Sequence, residues 1–473
     1  MSEVQVPSAE LVLRRHLEPE RWEPRLVGFV CHWCTYAGAD LAGTARRTQQ
    51  PNVRLVRVLC SSRIDPLFIL KTFEQGADGV LVSGCHPGDC HYVQGNLLAR
   101  RRLSIALDLF RFLGLDEGRL HLAWVSASEG VKWSQIVDKV TAAVREAGPL
   151  GRWALPAGDG RAAPALEAPQ PDEPRPAPTP GESADVAAAL REKAAALLAS
   201  GEVSVVTGYT HGSLPGQMVP AFATDPGEAA ALDWNERCAN NLTVYLPELL
   251  KRHRGAKVGL VAKSCDAKTL AGLVRENQVE RDRVVVVGVP CRGIWENGRL
   301  AAKCFSCAEE VSPLADVTME PVGASLGGGE RPVAPDPRDA EIAALEALPA
   351  AERWEFWQRQ FSRCIRCYAC RAACPLCYCE TCVTDKNDPQ WVPVSIDGPG
   401  NLAWNVTRAM HLAGRCTGCD ECTRACPADI RLDLLNRALA ARVGSRFGYR
   451  PGEDVAAVPP LATFGPSDPD EFL

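Results

Sequence analysis

Two cysteine runs near the C-terminus carry the densest chemistry. Cys364, Cys367, Cys370 and Cys374 are spaced C-x2-C-x2-C-x3-C and precede Pro375; Cys416, Cys419, Cys422 and Cys426 repeat the spacing before Pro427. Three thiolates three residues apart let one tight loop hold three corners of a cuboidal iron–sulfur cluster, while the fourth cysteine is carried to the neighbouring cluster. The spacing therefore predicts two 4Fe–4S clusters with crossed ligands. One takes Cys364, Cys367, Cys370 and Cys426; the other takes Cys416, Cys419, Cys422 and Cys374. Zinc would use separated C-x2-C pairs rather than these evenly placed thiols. Cys377, Cys379 and Cys382 follow in PLCYCETC. They are expected to be most of another metal site, a fourth 4Fe–4S cluster, the alternative being thiols that shield the first cluster.

The remaining cysteines are read from the elements that would hold them. RLVGFVC (25–31), VRLVRVLC (53–60), GVLVSGC (79–85) and LHLAWVS (120–126) read as buried parallel strands, with helices between them. Cys31, Cys60 and Cys85 then end three strands, and the carboxyl ends of an open α/β sheet form its ligand crevice. Cys34 and Cys90 lie in the following loops, where helix N-termini favour an anionic group. Five thiols meet a site that needs four. His86 and His91 flank Cys90 and are assigned outer or packing roles. Further on, EVSVVTGY, KVGLVAKSC and RVVVVGVPC read as strands and AKTLAGLVRENQ as a helix. Cys265 and Cys291 again end strands, and Cys304 and Cys307 form a C-x2-C pair. Together they make a four-thiolate set for a third 4Fe–4S cluster. Cys238, in a stretch read as helix, is assigned a packing role.

The chain has 473 residues, 46% hydrophobic and 23% charged, with 21 cysteines and a formal charge of −6. That length fits about three domains of roughly 150 residues. The acidic balance argues against a nucleic-acid partner, and no apolar run approaches a membrane span. The first twenty residues lack a signal-peptide pattern, and an odd count of clustered cysteines points to metal ligation in a cytoplasmic protein rather than disulfides. Eight prolines between Pro156 and Pro180 mark a tether, and residues 321–340 have the same character. Trp354, Trp357 and Phe361 form a helical stripe expected to be core. Arg100, Arg101 and Arg102 read as a solvated helix face, with a docking patch as the alternative.

The first segment closely resembles the delta subunit of methyl-viologen-reducing hydrogenase, through CHWCTYAGADLAG, VRVLCSSRIDPLFILKTFEQGADGVLVSGCHPGDCHYVQGN and SASEGVKW. The resemblance implies a 2Fe–2S cluster at Cys31, Cys34, Cys60, Cys85 and Cys90. It also implies partners: a formate dehydrogenase or hydrogenase on one side, and a heterodisulfide-reductase-A-like flavoprotein, the seat of electron bifurcation, on the other. The middle segment is similar, through KSCDAKTLAGLVRENQVERDRVVVVGVPCRG and KCFSC, to the beta subunits of deazaflavin-reducing hydrogenases and related formate dehydrogenases. Flavin-binding members carry a Gly-Gly turn before an early helix. VTGYTHGSLPGQM departs from it here, which argues against bound flavin.

The expected architecture is α/β. It has a doubly wound 2Fe–2S domain (25–147), a linker (148–184), a second doubly wound iron–sulfur domain (185–320), a linker (321–345), a two-cluster ferredoxin-like domain (346–445) and an irregular tail (446–473). The expected function is that of an electron-transfer subunit. A flavin-containing oxidoreductase that reduces a deazaflavin or nicotinamide coenzyme is the alternative.

Overall fold

The computed structural model describes residues 22–150, 166, 171–178, 180–319, 332–470 and 472–473. Residues 1–21 and much of the two Pro-rich segments lie outside that set.

Strands β1 (Leu26–Cys31), β2 (Val53–Val58), β3 (Gly79–Gly84) and β4 (Leu120–Trp124) lie parallel in the order β2-β1-β3-β4. Helices α1 (Thr35–Thr44) and α4 (Gly130–Ala147) supply one face, where Leu26, Val30 and Leu81 pack with Ala42, Trp133 and Val137. Helices α2 (Pro66–Glu74) and α3 (Gly95–Leu113) supply the other, where Phe29, Val80 and Val82 pack with Leu70, Phe73 and Leu103. Successive residues of a strand point to opposite faces, so these β-branched runs serve two helical layers at once. The strand order reverses between β1 and β3, which opens a crevice at their carboxyl ends. The sequence predicts a buried β2, but Arg54, Leu55, Val56 and Arg57 are exposed, because this strand forms the open edge of the sheet.

The second α/β unit begins with α5 (Pro180–Ala199), whose first residues fall in the segment read as linker. Its sheet has β5 (Val205–His211), β6 (Met218–Ala223), β7 (Val258–Ala262) and β8 (Val284–Gly288), with α6 (Leu246–Arg252) and α7 (Ser264–Arg275) between them. A short ribbon, β9 (Trp295–Glu296) and β10 (Arg299–Leu300), precedes β11 (Val317–Thr318). The order is β11-β8-β7-β5-β6, parallel except for β5 against β6. VTGYTHGSLPGQM is thus a hairpin, with Gly216 at φ 72°. A connection this short can join only antiparallel strands, so the sheet is mixed rather than uniformly doubly wound. The helix expected at Cys238 is replaced by turns. Asn235 Oδ1 accepts from Arg237 N at 2.9 Å, a local bond that competes with helical pairing.

The C-terminal third is helical: α8 (Pro337–Ala347), α9 (Ala350–Ser362), α10 (Ala369–Ala372), α11 (Gly398–Leu412), α12 (Glu421–Arg424) and α13 (Leu432–Phe447). α8 lies in the stretch read as the second linker. It starts where Asp336 accepts from Arg338 N at 3.0 Å, as an N-cap should. Two residues of the aromatic stripe of α9, Trp357 and Phe361, are core, and Trp357 lies 5.5 Å from Phe112 of α3, centroid to centroid; Trp354 packs half-buried against the same cluster, and Phe356 joins the core instead. Leu402 and Leu435, of α11 and α13, join the same cluster. The cysteine-rich unit therefore shares a core with the first sheet. The tail is irregular but docked. Arg101 grips Asp468 through two bonds of 2.6 and 2.7 Å, and Arg100 donates to Gly465 O at 2.8 Å. The arginine cluster read as solvated is largely occupied by this chain's own tail. Among the described residues no helix is long and apolar enough to cross a membrane.

Candidate metal centres

At the first sheet, topology does what spacing alone cannot. Cys31 closes β1, Cys60 lies two residues past β2 and Cys85 follows β3 directly. Cys34 is the N-cap residue of α1, and Thr35 Oγ1 meets Ser83 Oγ at 3.0 Å, fixing that helix start against β3. Cys85 Sγ stands 3.7 Å from Cys31 Sγ and 2.7 Å from Cys34 Sγ. The shorter separation is well above the roughly 2.05 Å of a disulfide. Cys60 and Cys90 meet over the first residue of α3, where a Cβ on Gly95 would collide with Cys60 Sγ and lie 3.4 Å from Cys90 Sγ. Five cysteines thus gather beneath two helix N-termini. Cys31 is held protonated by its bond with Cys85 and by burial; Cys34 is pushed up by burial and by Cys31, Cys90 and Asp89, although the bond from Cys34 to Cys85 counters this. A metal ion replaces protons at such thiols.

The histidines are positioned apart from the sulfurs. His86 Nε2 lies 2.7 Å from Glu129 Oε2, and Glu129 also accepts from Ser126 N at 2.7 Å. SASEGVKW thereby anchors the GCHPGDCH loop. His91 stacks on Trp33 at 3.7 Å. Asn96 Nδ2 donates to Cys85 O at 2.9 Å and His86 O at 2.7 Å, tying that loop to α3.

In the second sheet, Cys265 opens α7 after β7, and Cys291 lies three residues past β8. Burial, then Asp266, pushes the Cys265 thiol far up, with Cys291 adding to it and Lys303 and Lys263 opposing. Cys304 Sγ accepts from Ile294 N at 3.3 Å, and Cys307 lies close enough to raise its thiol. Arg175, from the segment read as linker, donates to Cys304 O and to Arg292 O, so this segment is seated on the site. A buried ion pair accompanies the set. Lys263 Nζ lies 2.8 Å from Asp266 Oδ2 and from Asn240 O, and it also meets the Tyr209 hydroxyl. Sequence reasoning missed these residues; the only trace was the charge flanking the cysteine in KSCD.

The two C-terminal runs follow one backbone path. Arg366 and Tyr368 take φ 46° and 60°, and Gly418 and Asp420, at the same offsets in the second run, take 70° and 63°. Each run then makes a single helical turn, α10 or α12. Cys426 and Cys367 stand close enough to Cys364 to raise its thiol, and Cys422, Cys364 and Cys426 do the same for Cys370. Cys416 neighbours Cys422 and Cys374, and Cys419 neighbours Cys374 and Cys416. Cys374, Cys416, Cys419 and Cys422 line one cavity of about 220 Å³. Among the described residues no three His, Cys, Asp or Glu side chains converge as the ligands of a single ion would. Cys377, Cys379 and Cys382 diverge: Cys377 bonds Cys374, Cys382 bonds Arg371, and Cys379 is exposed.

Arg408 of α11 tests whether these sites suit an anionic cluster. It is 4% exposed, Nη2 donates to Cys370 O at 3.0 Å, and Nε has no partner. Burial works against its charge, and thiolates at Cys422, Cys374, Cys370 and Cys377 would more than offset that. An uncompensated buried cation is strongly destabilising. Neutral thiols cannot compensate it, whereas cluster-bound thiolates can. The donor set and the cation fit the clusters.

Residues 26–148 match the family profile of the methyl-viologen-reducing hydrogenase delta subunit. The chain is 48% identical over 130 residues to the D-type iron-sulfur subunit of the vhc F420-non-reducing hydrogenase from Methanococcus voltae, covering 28% of this chain and 90% of that protein. It is 46% identical over 131 residues to the D-type iron-sulfur subunit of the F420-non-reducing hydrogenase from Archaeoglobus profundus, covering 28% and 96%. It is also 42% identical over 128 residues to the A-type subunit of the ferredoxin/F(420)H(2)-dependent CoB-CoM heterodisulfide reductase from Methanosarcina acetivorans, covering 27% of this chain and 16% of that one. Through its first α/β unit, the chain belongs to the methyl-viologen-reducing hydrogenase delta-subunit family.

Proposed function

We propose that the protein is a multi-cluster electron-transfer subunit. It relays electrons between a formate dehydrogenase or hydrogenase and a heterodisulfide-reductase-A-like flavoprotein, in an electron-bifurcating complex in the cytoplasm. Cys31, Cys34, Cys60, Cys85 and Cys90 supply the ligands of a 2Fe–2S cluster. Cys265, Cys291, Cys304 and Cys307 hold one 4Fe–4S cluster. The two C-terminal runs hold two more, with Cys374 and Cys426 exchanged between them. Such clusters supply one-electron chemistry when bound. The protein's residues exclude water, fix the thiolates and set the surrounding charge. A fourth cluster on Cys377, Cys379 and Cys382 lacks comparable support, since those thiols face different neighbours.

One observation carries the reading: the cysteine set of the second sheet and that of the second C-terminal run abut through part-buried polar contacts instead of standing on separate domains. Thr269 of α7 meets Thr417, beside Cys416, at 2.8 Å, and Lys303, beside Cys304, donates to Cys419 O at 2.8 Å. A zinc-stapled scaffold would not need its sites to adjoin. Partners are inferred from relatives named as subunits of a hydrogenase and of a heterodisulfide reductase. Anaerobic purification should give a brown protein with iron and sulfide for one 2Fe–2S and three 4Fe–4S clusters. Stepwise reduction should develop paramagnetic signals, and the partner proteins should co-purify. Colourless protein containing only zinc would overturn the proposal. A yellow chromophore released on denaturation would favour the flavin-containing alternative.

A further inference from the structure

Two cations lie where cysteine sets meet, and neither has a carboxylate to itself. Lys303 is half-buried. Its Nζ donates to Cys419 O at 2.8 Å, while its charge acts on Cys265 and Cys304 of the second sheet. Two carboxylates nearby, Asp420 and Glu421, are already paired with Arg338 at 2.6 Å and Arg424 at 2.5 Å. Arg408 is the second cation. It reaches Cys370 of the first run as well as Cys374 and Cys422 of the crossed set. Lys303 therefore stands between the Cys265 set and the Cys416 set, and Arg408 between the Cys416 set and the Cys364 set.

Reduction adds negative charge to a cluster, so a fixed cation in a poorly screened interior favours the reduced form and raises the potential. A cation shared by two clusters raises both, and their difference changes less than either value. Resting on the relay reading above, we propose that Lys303 and Arg408 are potential-setting residues, each shared by two consecutive clusters. The arrangement also fixes an order: the Cys265 set, then the Cys416 set, then the Cys364 set.

Midpoint potentials, followed by paramagnetic resonance in the full chain, test this. Arg408→Gln should lower two 4Fe–4S midpoints, each by at least tenfold in the reduction equilibrium, about 59 mV for one electron. Lys303→Met should also lower two. One midpoint, that of the Cys416 set, should move in both variants. Arg408→Lys and Lys303→Arg should restore most of the shift, which a merely structural role would not predict. Should Arg408→Gln fail to load clusters, Lys303→Met decides alone, since Lys303 is only half-buried and its replacement opens no core cavity. Full iron and sulfide with unmoved midpoints, or with a single midpoint moved per variant, would overturn the proposal while leaving the relay intact. Absence of clusters from the unaltered protein would overturn the relay itself.

Discussion

At the scale of single residues, the crossing of ligands is open to direct test. If Cys426 completes the set of the first run, Cys426→Ala and Cys367→Ala should abolish the same paramagnetic signal. Cys374→Ala and Cys419→Ala should abolish the other. Pairing by run instead, Cys426 with Cys419, would refute the exchange. A second expectation concerns protons. Burial pushes Cys370 up to about 11 against the opposing charge of Arg408, and pushes Cys416 to about 12. Without metal these two thiols are then protonated at neutral pH, and iron must displace those protons. Reconstitution under chelator competition should strengthen steadily from pH 7 to 9, by up to about tenfold per unit for each proton displaced. Uptake independent of pH would contradict it. Of the site residues, the cysteines were legible because their spacing is local or tied to strand ends. Lys263, Lys303 and Arg408 were not. A cation's relation to a thiol in another element follows from packing, and nothing in NVTRAMHLAG marks Arg408 as facing Cys370 and Cys422.

Elements carry a different kind of constraint. α3 begins at Gly95, directly over two sulfurs, and an added Cβ would strike Cys60 Sγ. Glycine to alanine inside a helix ordinarily stabilises by about 1 kcal/mol; here the steric cost should win. Gly95→Ala is expected to lower iron bound at the first sheet while the clusters on the C-terminal runs persist, measured as visible absorbance and metal per chain. Unchanged occupancy would mean that Cys60 is not held in that crevice. The strands that announced themselves, such as Val284–Gly288, are β-branched runs covered on both faces. Those that misled obeyed local connection chemistry: the β5–β6 hairpin turns on Gly216, and β2 takes an edge its apolar residues did not foretell. α11 and α13 went unread because their buried faces carry Asn401, Asn405, Arg408 and Asn436 among the leucines, so polarity obscured the period. Several of those polar groups serve the cysteines, as where Asn401 Nδ2 donates to Cys364 O at 2.8 Å and Asn436 Nδ2 meets Cys422 Sγ at 3.5 Å.

For the molecule as a whole, the tail closes the assembly. After α13 the chain returns to the first sheet, where Leu473 N donates to Leu122 O at 2.8 Å and Phe472 stacks on Trp124 at 3.8 Å. Asp468 anchors the return. Its carboxylate takes two bonds from Arg101, accepts from Gly465 N at 2.8 Å and faces Arg100 at 3.7 Å, with the two side chains of the main pair only 10% and 8% exposed. Removing one partner of a buried pair leaves the other uncompensated, so Asp468→Asn should cost on the order of 3 kcal/mol. The loss should appear as a lower unfolding temperature and faster amide exchange along β4. The sign of its pH dependence follows from the carboxyl's environment. Burial alone would raise it, but Arg101, Gly465 N and Arg100 hold it below the usual carboxylate range. A group depressed on folding contributes fully above its unfolded value, near pH 4, and loses that contribution as pH falls through the folded value. The difference in stability between the unaltered protein and Asp468→Asn should therefore be constant from pH 7 to about 5 and shrink as the solution is made more acid. A difference that grew toward low pH would show that folding raises this carboxyl, and no difference at any pH would show that apolar contacts alone hold the tail.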